Sequence, residues 1–389
     1  MKADFLKEAR ALAPEITALR EAIHRCPELG NREYETAARA EAFLRSCGFE
    51  TARLTETAIA ATLRGALPGP TVALRSELDA LPVTEATGAA FASEREGVMH
   101  ACGHDVHLAA ALGAAKLLSA HRDALPGTVK LFLEPDEEGS GGAARMIDGG
   151  CMGDTEAVFG CHLDPALPLG TVGVRFGKFY AASDVFTVTV RGKSAHGAQR
   201  EQGVDALAAA ARMVTALLEL PEELLPERSA LNIGTLRAGT AENVVPALAE
   251  LRGILRSLGP DSRALLRRRL RETVGTVASE TGTAAEVTLR PSYGGVVNTD
   301  AETELVRRTA EELLGEDRVR LLAEPTLTTE DFGCFIDAAA GSFYHIGAGC
   351  SSPLHAADFL PNGNAAVTAA ALHAAVVWEY LRNNSQGHT

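Results

Sequence analysis

The stretch Val129-Lys130-Leu131-Phe132-Leu133-Glu134-Pro135-Asp136-Glu137-Glu138-Gly139 decides the fold. Its first five residues form a short, mostly apolar run, strand-like in length and closed by Pro135 and Gly139. The run empties into a carboxylate cluster, and the ends of strands are where α/β proteins commonly build their sites. Thr71 to Leu74 reads as a second such strand, and from the start to about Gly170 short strands alternate with amphipathic helices across Gly/Pro loops. That is an α/β layout.

The pattern changes near Ser183. Asp184 to Arg191 alternates as a strand, Val204 to Leu220 reads as a helix, and Leu231 to Leu236 as a strand. A second unit follows, with a strand over Ala247 to Leu255, a helix over Asp261 to Glu280 and a strand over Ala284 to Arg290. Two successive βαβ units within about 110 residues make a ferredoxin-like α+β module. After Pro291-Ser292-Tyr293-Gly294-Gly295 the mixed pattern resumes and ends in an Ala-rich helix from about Asn364 to Leu381. The domain reading is one α/β domain from residues 1–181 and 294–389, with an inserted domain over 182–293. At 389 residues, two domains are also the natural prior.

A formal charge of −14 without a basic block argues against a nucleic-acid partner. Seven cysteines without close-set pairs fit a reducing compartment, and the cytoplasm is the expected location. Met1 to Arg20 reads as an amphipathic helix rather than a signal peptide. The apolar stretch Ala365 to Trp378 is too short and too polar to span a bilayer.

The densest chemistry lies in Met99-His100-Ala101-Cys102-Gly103-His104-Asp105-Val106-His107. A thiolate is a soft ligand and a neutral imidazole a nitrogen ligand, so Cys102 and His104 are candidates to hold a zinc-like or manganese-like ion. Glu137 and Glu138 divide naturally between holding metal and moving protons, although an isolated Glu-Glu pair is more often a solvated loop. His162 and His355 are further nitrogen donors, each weak evidence alone.

Together these segments resemble the M20 metallopeptidase family, in particular its amidohydrolase branch of N-acyl-amino-acid, hippurate and auxin-conjugate hydrolases. The matches run in order through His24-Arg25-Cys26-Pro27-Glu28-Leu29, Arg75-Ser76-Glu77-Leu78-Asp79-Ala80-Leu81-Pro82, the Cys102/His104 segment, Glu137-Glu138-Gly139 and Gly160-Cys161-His162. They continue through Gly192-Lys193-Ser194-Ala195-His196, Ala241-Glu242-Asn243-Val244-Val245-Pro246, Glu330-Asp331-Phe332 and Leu354-His355. The resemblance implies a catalytic domain with a central sheet of zinc-exopeptidase type. It implies two divalent metal ions, zinc or manganese with cobalt or nickel as substitutes in vitro, on Cys102, His104, Glu138, His162 and His355. Glu137 is then the general base. His196 stabilises the oxyanion, in its own or a neighbouring subunit's site, and Asn243 and Arg256 bind the substrate carboxylate. Asp79 orients a ligand histidine. The implied substrate is a small N-acyl amino acid, and the implied assembly a homodimer or homotetramer through the inserted domain, without nucleic acid or membrane.

Some positions depart from the family pattern. Gly197-Ala198-Gln199-Arg200 follows His196, Ala356-Ala357 follows His355, and Asp136 precedes the glutamate pair, where like charge is expected to raise the proton affinity of Glu137. The alternatives are a dipeptidase or small-peptide carboxypeptidase using the same two-metal site, and, more remotely, a non-catalytic metal-binding assembly protein.

Overall fold

A computed structural model describes residues 3–220 and 227–385. The chain opens with α1 (Phe5–Ala11) and α2 (Ala13–Arg25), not with one helix through Arg20. Pro14 stands in the first turn of α2, where its missing N–H costs nothing. In a continuous helix its ring would clash with the Arg10 carbonyl, and the helix breaks at Leu12 instead. There follow α3 (Tyr34–Ser46), β1 (Glu50–Arg53), β2 (Ile59–Arg64), β3 (Leu67–Glu77), α4 (His104–Ala120), β4 (Pro126–Glu134), α5 (Ala143–Asp148), β5 (Thr155–Asp164) and β6 (Val172–Val174). Next come β7 (Gly177–Tyr180), β8 (Ala182–Arg191), α6 (Ala206–Leu218), β9 (Ser229–Ala238), β10 (Leu248–Ser257), α7 (Pro260–Thr281), β11 (Ala284–Pro291) and β12 (Val296–Asn298). The chain closes with α8 (Asp300–Leu314), β13 (Val319–Leu321), α9 (Gly333–Ala338), β14 (Ala340–Gly347) and α10 (Asn364–Asn384).

These elements form two units, one of residues 1–177, 297–324 and 331–389, the other of residues 178–296 and 325–330. The first holds an eight-stranded mixed sheet in the order β1-β2-β4-β3-β5-β14-β6-β13. β3, β4, β5 and β14 run parallel, so their carboxyl ends lie along one edge. Alternation along β4 sends Leu131 and Leu133 into the main core with α4 and α10, and sends Phe132 the opposite way, where it stacks on Phe335 of α9. α4 approaches its neighbours closely because Gly113 has no side chain; a Cβ there would meet Ala370 of α10 and Ile16 of α2 at 3.0 Å. α10 is docked by a buried polar link. His373 Nδ1 pairs with the Tyr344 hydroxyl at 2.6 Å, and His373 Nε2 with the Cys161 thiol at 3.4 Å.

The second unit is a four-stranded antiparallel sheet in the order β11-β8-β10-β9, the ferredoxin-like arrangement. Phe186, Val188 and Val190 of β8 face Leu266, Leu270 and Val274 of α7 and Ala209, Ala210 and Met213 of α6. Buried Asp184 accepts from both Arg263 and Arg267, one turn apart on α7. Against the cost of burial, these hydrogen bonds hold its carboxyl below the usual range. Among the described residues, no helix is long and apolar enough to cross a membrane.

At the carboxyl edge of the large sheet, the fully buried Arg75 guanidinium ties four segments together. Nε donates to Glu134 at the end of β4 (2.6 Å), one terminal nitrogen to Glu77 at the end of β3, and the other to Asp331 (2.9 Å). Asp331 in turn accepts the Ala143 N–H at the start of α5. One cation serves three carboxyls here. Burial pushes Glu134 well up, with the Asp331 charge adding to it, whereas the Arg75 and His107 charges outweigh burial at Glu77 and hold it well down. Removing one partner of a buried ionic cluster strands the others, at a cost of about 3–5 kcal/mol. Arg75→Leu is accordingly expected to lose at least ~3 kcal/mol in urea unfolding followed by circular dichroism; a loss below ~1 kcal/mol would show that the cluster is not what holds the strand ends.

Candidate metal centre

The loop before α4 brings in the first donors. Gly103 has φ +89°, a left-handed turn between Cys102 and His104, and a Cβ there would stand 2.6 Å from Leu163 Cδ1. The glycine therefore lets this loop lie against the end of β5, where His162 sits. Cys102 Sγ is 3.3 Å from His162 Nε2 and 3.3 Å from His355 Nε2. His355, in the loop after β14, is held at φ +67° and donates its backbone N–H to the Ala101 carbonyl at 2.8 Å. Its Nε2 also stands 3.1 Å from Glu138 Oε1, in the turn after β4.

Two donor triads share the Cys102 sulfur: Cys102, His104 and His162, and Cys102, Glu138 and His355. A third group joins His104 with Glu137 and Glu138, and within each group the donor atoms lie within 4.8 Å of one another. All five proposed ligands and the proposed base thus meet at the carboxyl edge of one sheet.

Neighbouring groups fix how the ligands face. His104 Nδ1 is 2.9 Å from the Asp79 carbonyl and 3.1 Å from its Oδ1, so Nδ1 carries the proton. Its Nε2 is left buried with no hydrogen-bond partner among the described residues. The other Asp79 oxygen takes the Glu138 N–H at 3.0 Å, so one carboxylate orients two ligand segments. His162 Nδ1 donates to the Leu163 carbonyl at 2.8 Å, which again leaves Nε2 for the centre.

Burial and neighbouring charges shift the donor groups in opposite directions. Burial raises the Cys102 thiol well above its usual range, and the Glu138 and Glu137 carboxylates add to the rise. Burial opposes a charge on His104, but the Asp79 hydrogen bond and the Glu77, Asp79 and Glu138 charges outweigh it and lift the imidazole to about 10. Against its own burial, Glu138 is drawn down to about 2 by the His355 hydrogen bond and the His104 charge. His162, buried among other imidazoles, is pushed to about 3 and stays neutral. Sulfur, imidazole nitrogen and carboxylate oxygen together, with one imidazole nitrogen orphaned, fit divalent transition-metal ions.

Around the donors lies a buried support that spacing alone did not assign. His107 lies between Glu77 Oε2 (3.2 Å) and the Leu163 N–H (3.0 Å), so both ring nitrogens are occupied. Asp105 binds Arg20 and His24 of α2, each at 2.9 Å, and these cations hold its carboxyl far below the usual range despite burial. Asp136 sits at φ +60°, and its carboxylate is taken by Asn31 (2.7 Å), Ser140 and Arg145 (3.3 Å). His196, Asn243 and Arg256 lie in the second unit. His196 is bridged to Val244, His196 and Asn243 are exposed, and Arg256 donates to the Leu327 carbonyl at 2.8 Å.

Comparison with known proteins gives this geometry a lineage. Residues 73–379 match the model of peptidase family M20/M25/M40. The chain is 33% identical over 379 residues to thermostable carboxypeptidase 1 of Saccharolobus solfataricus, covering 94% of this chain and 95% of the relative. It is 36% identical over 290 residues to an N-acyl-L-amino acid amidohydrolase of Geobacillus stearothermophilus, covering 74% and 78%. Among solved structures it superposes on Bacillus subtilis YXEP, described as a dinuclear metal binding peptidase from the M20 family, with a TM-score of 0.85, 29% identity and coverage of 96% and 99%. With a family match across most of its length and a mixed sheet whose parallel strand ends gather the thiol, the imidazoles and the glutamates, the chain belongs to peptidase family M20/M25/M40.

Proposed function

We propose that this protein is a metal-dependent amidohydrolase that cleaves the amide bond of an N-acyl amino acid or a similar small conjugate, releasing a carboxylic acid and a free amino acid. The observation that carries the reading is the pair of donor triads sharing Cys102, with the Glu137 carboxylate in the group beside them. Cys102, His104, Glu138, His162 and His355 would hold two divalent ions, zinc or manganese. Bound there, such ions supply Lewis acidity, polarising the substrate carbonyl and making water more acidic at neutral pH.

The chain's own residues do the rest. Glu137 takes a proton from the attacking water as its oxygen adds to the carbonyl carbon, then passes that proton to the leaving nitrogen as the C–N bond breaks. His196 stabilises the charge on the carbonyl oxygen, and Asn243 and Arg256 bind the substrate carboxylate. Asp79 keeps His104 and the Glu138 segment in place, at 3.1 and 3.0 Å. All seven cysteines are unpaired, which suits a cytoplasmic enzyme. Assembly through the inserted domain, as a dimer or tetramer, completes the reading.

Glu137→Gln is expected to keep both metals, measured by elemental analysis, while turnover falls at least ~10²-fold. Cys102→Ser and His104→Ala should lose metal as well as activity. Cobalt-loaded parent protein should show thiolate-to-cobalt charge-transfer absorption that Cys102→Ser lacks. Full activity in Glu137→Gln would sink the assignment.

The carboxypeptidase similarity favours a second reading, a dipeptidase or small-peptide carboxypeptidase with the same centre. Comparing hydrolysis of acetylated or benzoylated amino acids with unblocked dipeptides separates the two. The amidohydrolase reading expects the blocked substrates to be preferred in kcat/KM, and a preference for free dipeptides reverses it.

A further inference from the structure

The strand that carries His162 loses a neighbour just where the ligand is needed. β3 pairs with β5 only as far as Leu74 opposite Phe159, while β14 continues on the other side of β5 to Asp164. The Leu163 N–H does not go unsatisfied, because His107 Nε2 from the first turn of α4 accepts it at 3.0 Å. An imidazole nitrogen that accepts carries no proton, so the proton is on Nδ1 and is donated to Glu77 Oε2 at 3.2 Å. Glu77 is itself gripped by Arg75. On the other side of the Leu163 Cα, the carbonyl of the same residue accepts the His162 Nδ1 proton at 2.8 Å. The His107 and His162 rings pack edge to face with centroids 4.7 Å apart. A chain of contacts therefore runs from Arg75 through Glu77 and His107 to the backbone at Leu163, and from there to the ring of His162.

We propose that His107 is a positioning residue of the metal centre, holding the backbone at Leu163 so that His162 keeps Nε2 turned towards Cys102. The inference rests on the reading of His162 as a ligand. His107 is not itself a ligand, since both of its nitrogens are taken within the protein. Its effect falls on metal affinity and on the tautomer of a neighbouring ring.

The two contacts of His107 can be removed one at a time in the full-length protein, stripped with chelator and titrated with cobalt(II) alone. In His107→Asn the amide reaches the Nδ1 position and keeps the Glu77 contact, but it is too short to meet the Leu163 N–H. In His107→Gln the side-chain oxygen reaches the Nε2 position and restores that acceptor. The Asn variant is expected to bind one cobalt ion at least ~10-fold more weakly than the parent, and the Gln variant to stay within about 3-fold. Parental affinity in the Asn variant, or equal losses in the two, overturns the proposal. His162→Ala separates this failure from failure of the ligand reading. If His162→Ala keeps both ions at parental affinity, the ligand assignment is wrong; if it loses an ion while His107→Asn does not, only the positioning role is wrong. Should the variants fail to fold, nitrogen-15 spectra of histidine-labelled parent protein decide. The proton on Nδ1 of both His107 and His162 is required, and a proton on His107 Nε2 overturns the proposal.

Discussion

The buried Arg75 guanidinium is the constraint on which this structure depends. Two strand-end carboxyls, Glu77 and Glu134, and that of Asp331 just before α9 converge on it, all of them buried. Alone, such a cluster would repel itself apart. With the cation at its centre, the ends of β3 and β4, the start of α5 and the segment at Asp331 are held at one point, and the turn that carries Glu137 and Glu138 leaves from there. The centre is thus held at its edge by a buried salt-bridged knot. Burying charge in this way is a costly route to stability, and its value here is in specifying where the strand ends lie.

Outward from that knot, His104 and His162 each have one ring nitrogen occupied by the protein while the other faces the donors. Asp79 does this for His104 and the Leu163 carbonyl for His162. The Ala101 carbonyl anchors His355 by its backbone instead. Main-chain carbonyls, those of Asp79, Leu163 and Ala101, take part in all three cases, so the ligand set depends on where the backbone lies as much as on side-chain identity. That suits His162 near the end of β5 and His104 at the start of α4, where sheet and helix hydrogen bonds fix the backbone; Glu138 and His355 sit in the turn after β4 and the loop after β14.

Much of this was legible in the sequence because it is local. The apolar run ending in Glu134 and the Cys102/His104 spacing each declare themselves within a dozen residues, and the period-two strand over Asp184 to Arg191 in about eight. The Ala-rich C-terminal helix is equally plain. What was not legible is contact between distant segments. Asp136 meets Asn31 across 105 residues, and His107 meets Leu163 across 56, with no pattern in either neighbourhood to announce the partner. The break at Leu12 was hidden for another reason. Charge and apolar periodicity continue through it, and the single Pro14 that interrupts the backbone is also a residue that helices accept in their first turn. Residues 325–330, read as part of the larger domain, cluster with the smaller unit; a six-residue loop carries no hydrophobic period to assign it.

The thiol of Cys102 and the imidazole of His355 meet although 253 residues separate them along the chain. An ion held by both would act as a reversible staple, closing a loop that includes the whole of the second unit. Stapling so long a loop restricts the unfolded chain far more than the folded one, and a bound ion stabilises in proportion to the logarithm of its concentration over its dissociation constant. Metal supply would then bear on the stability of the protein as well as on its activity.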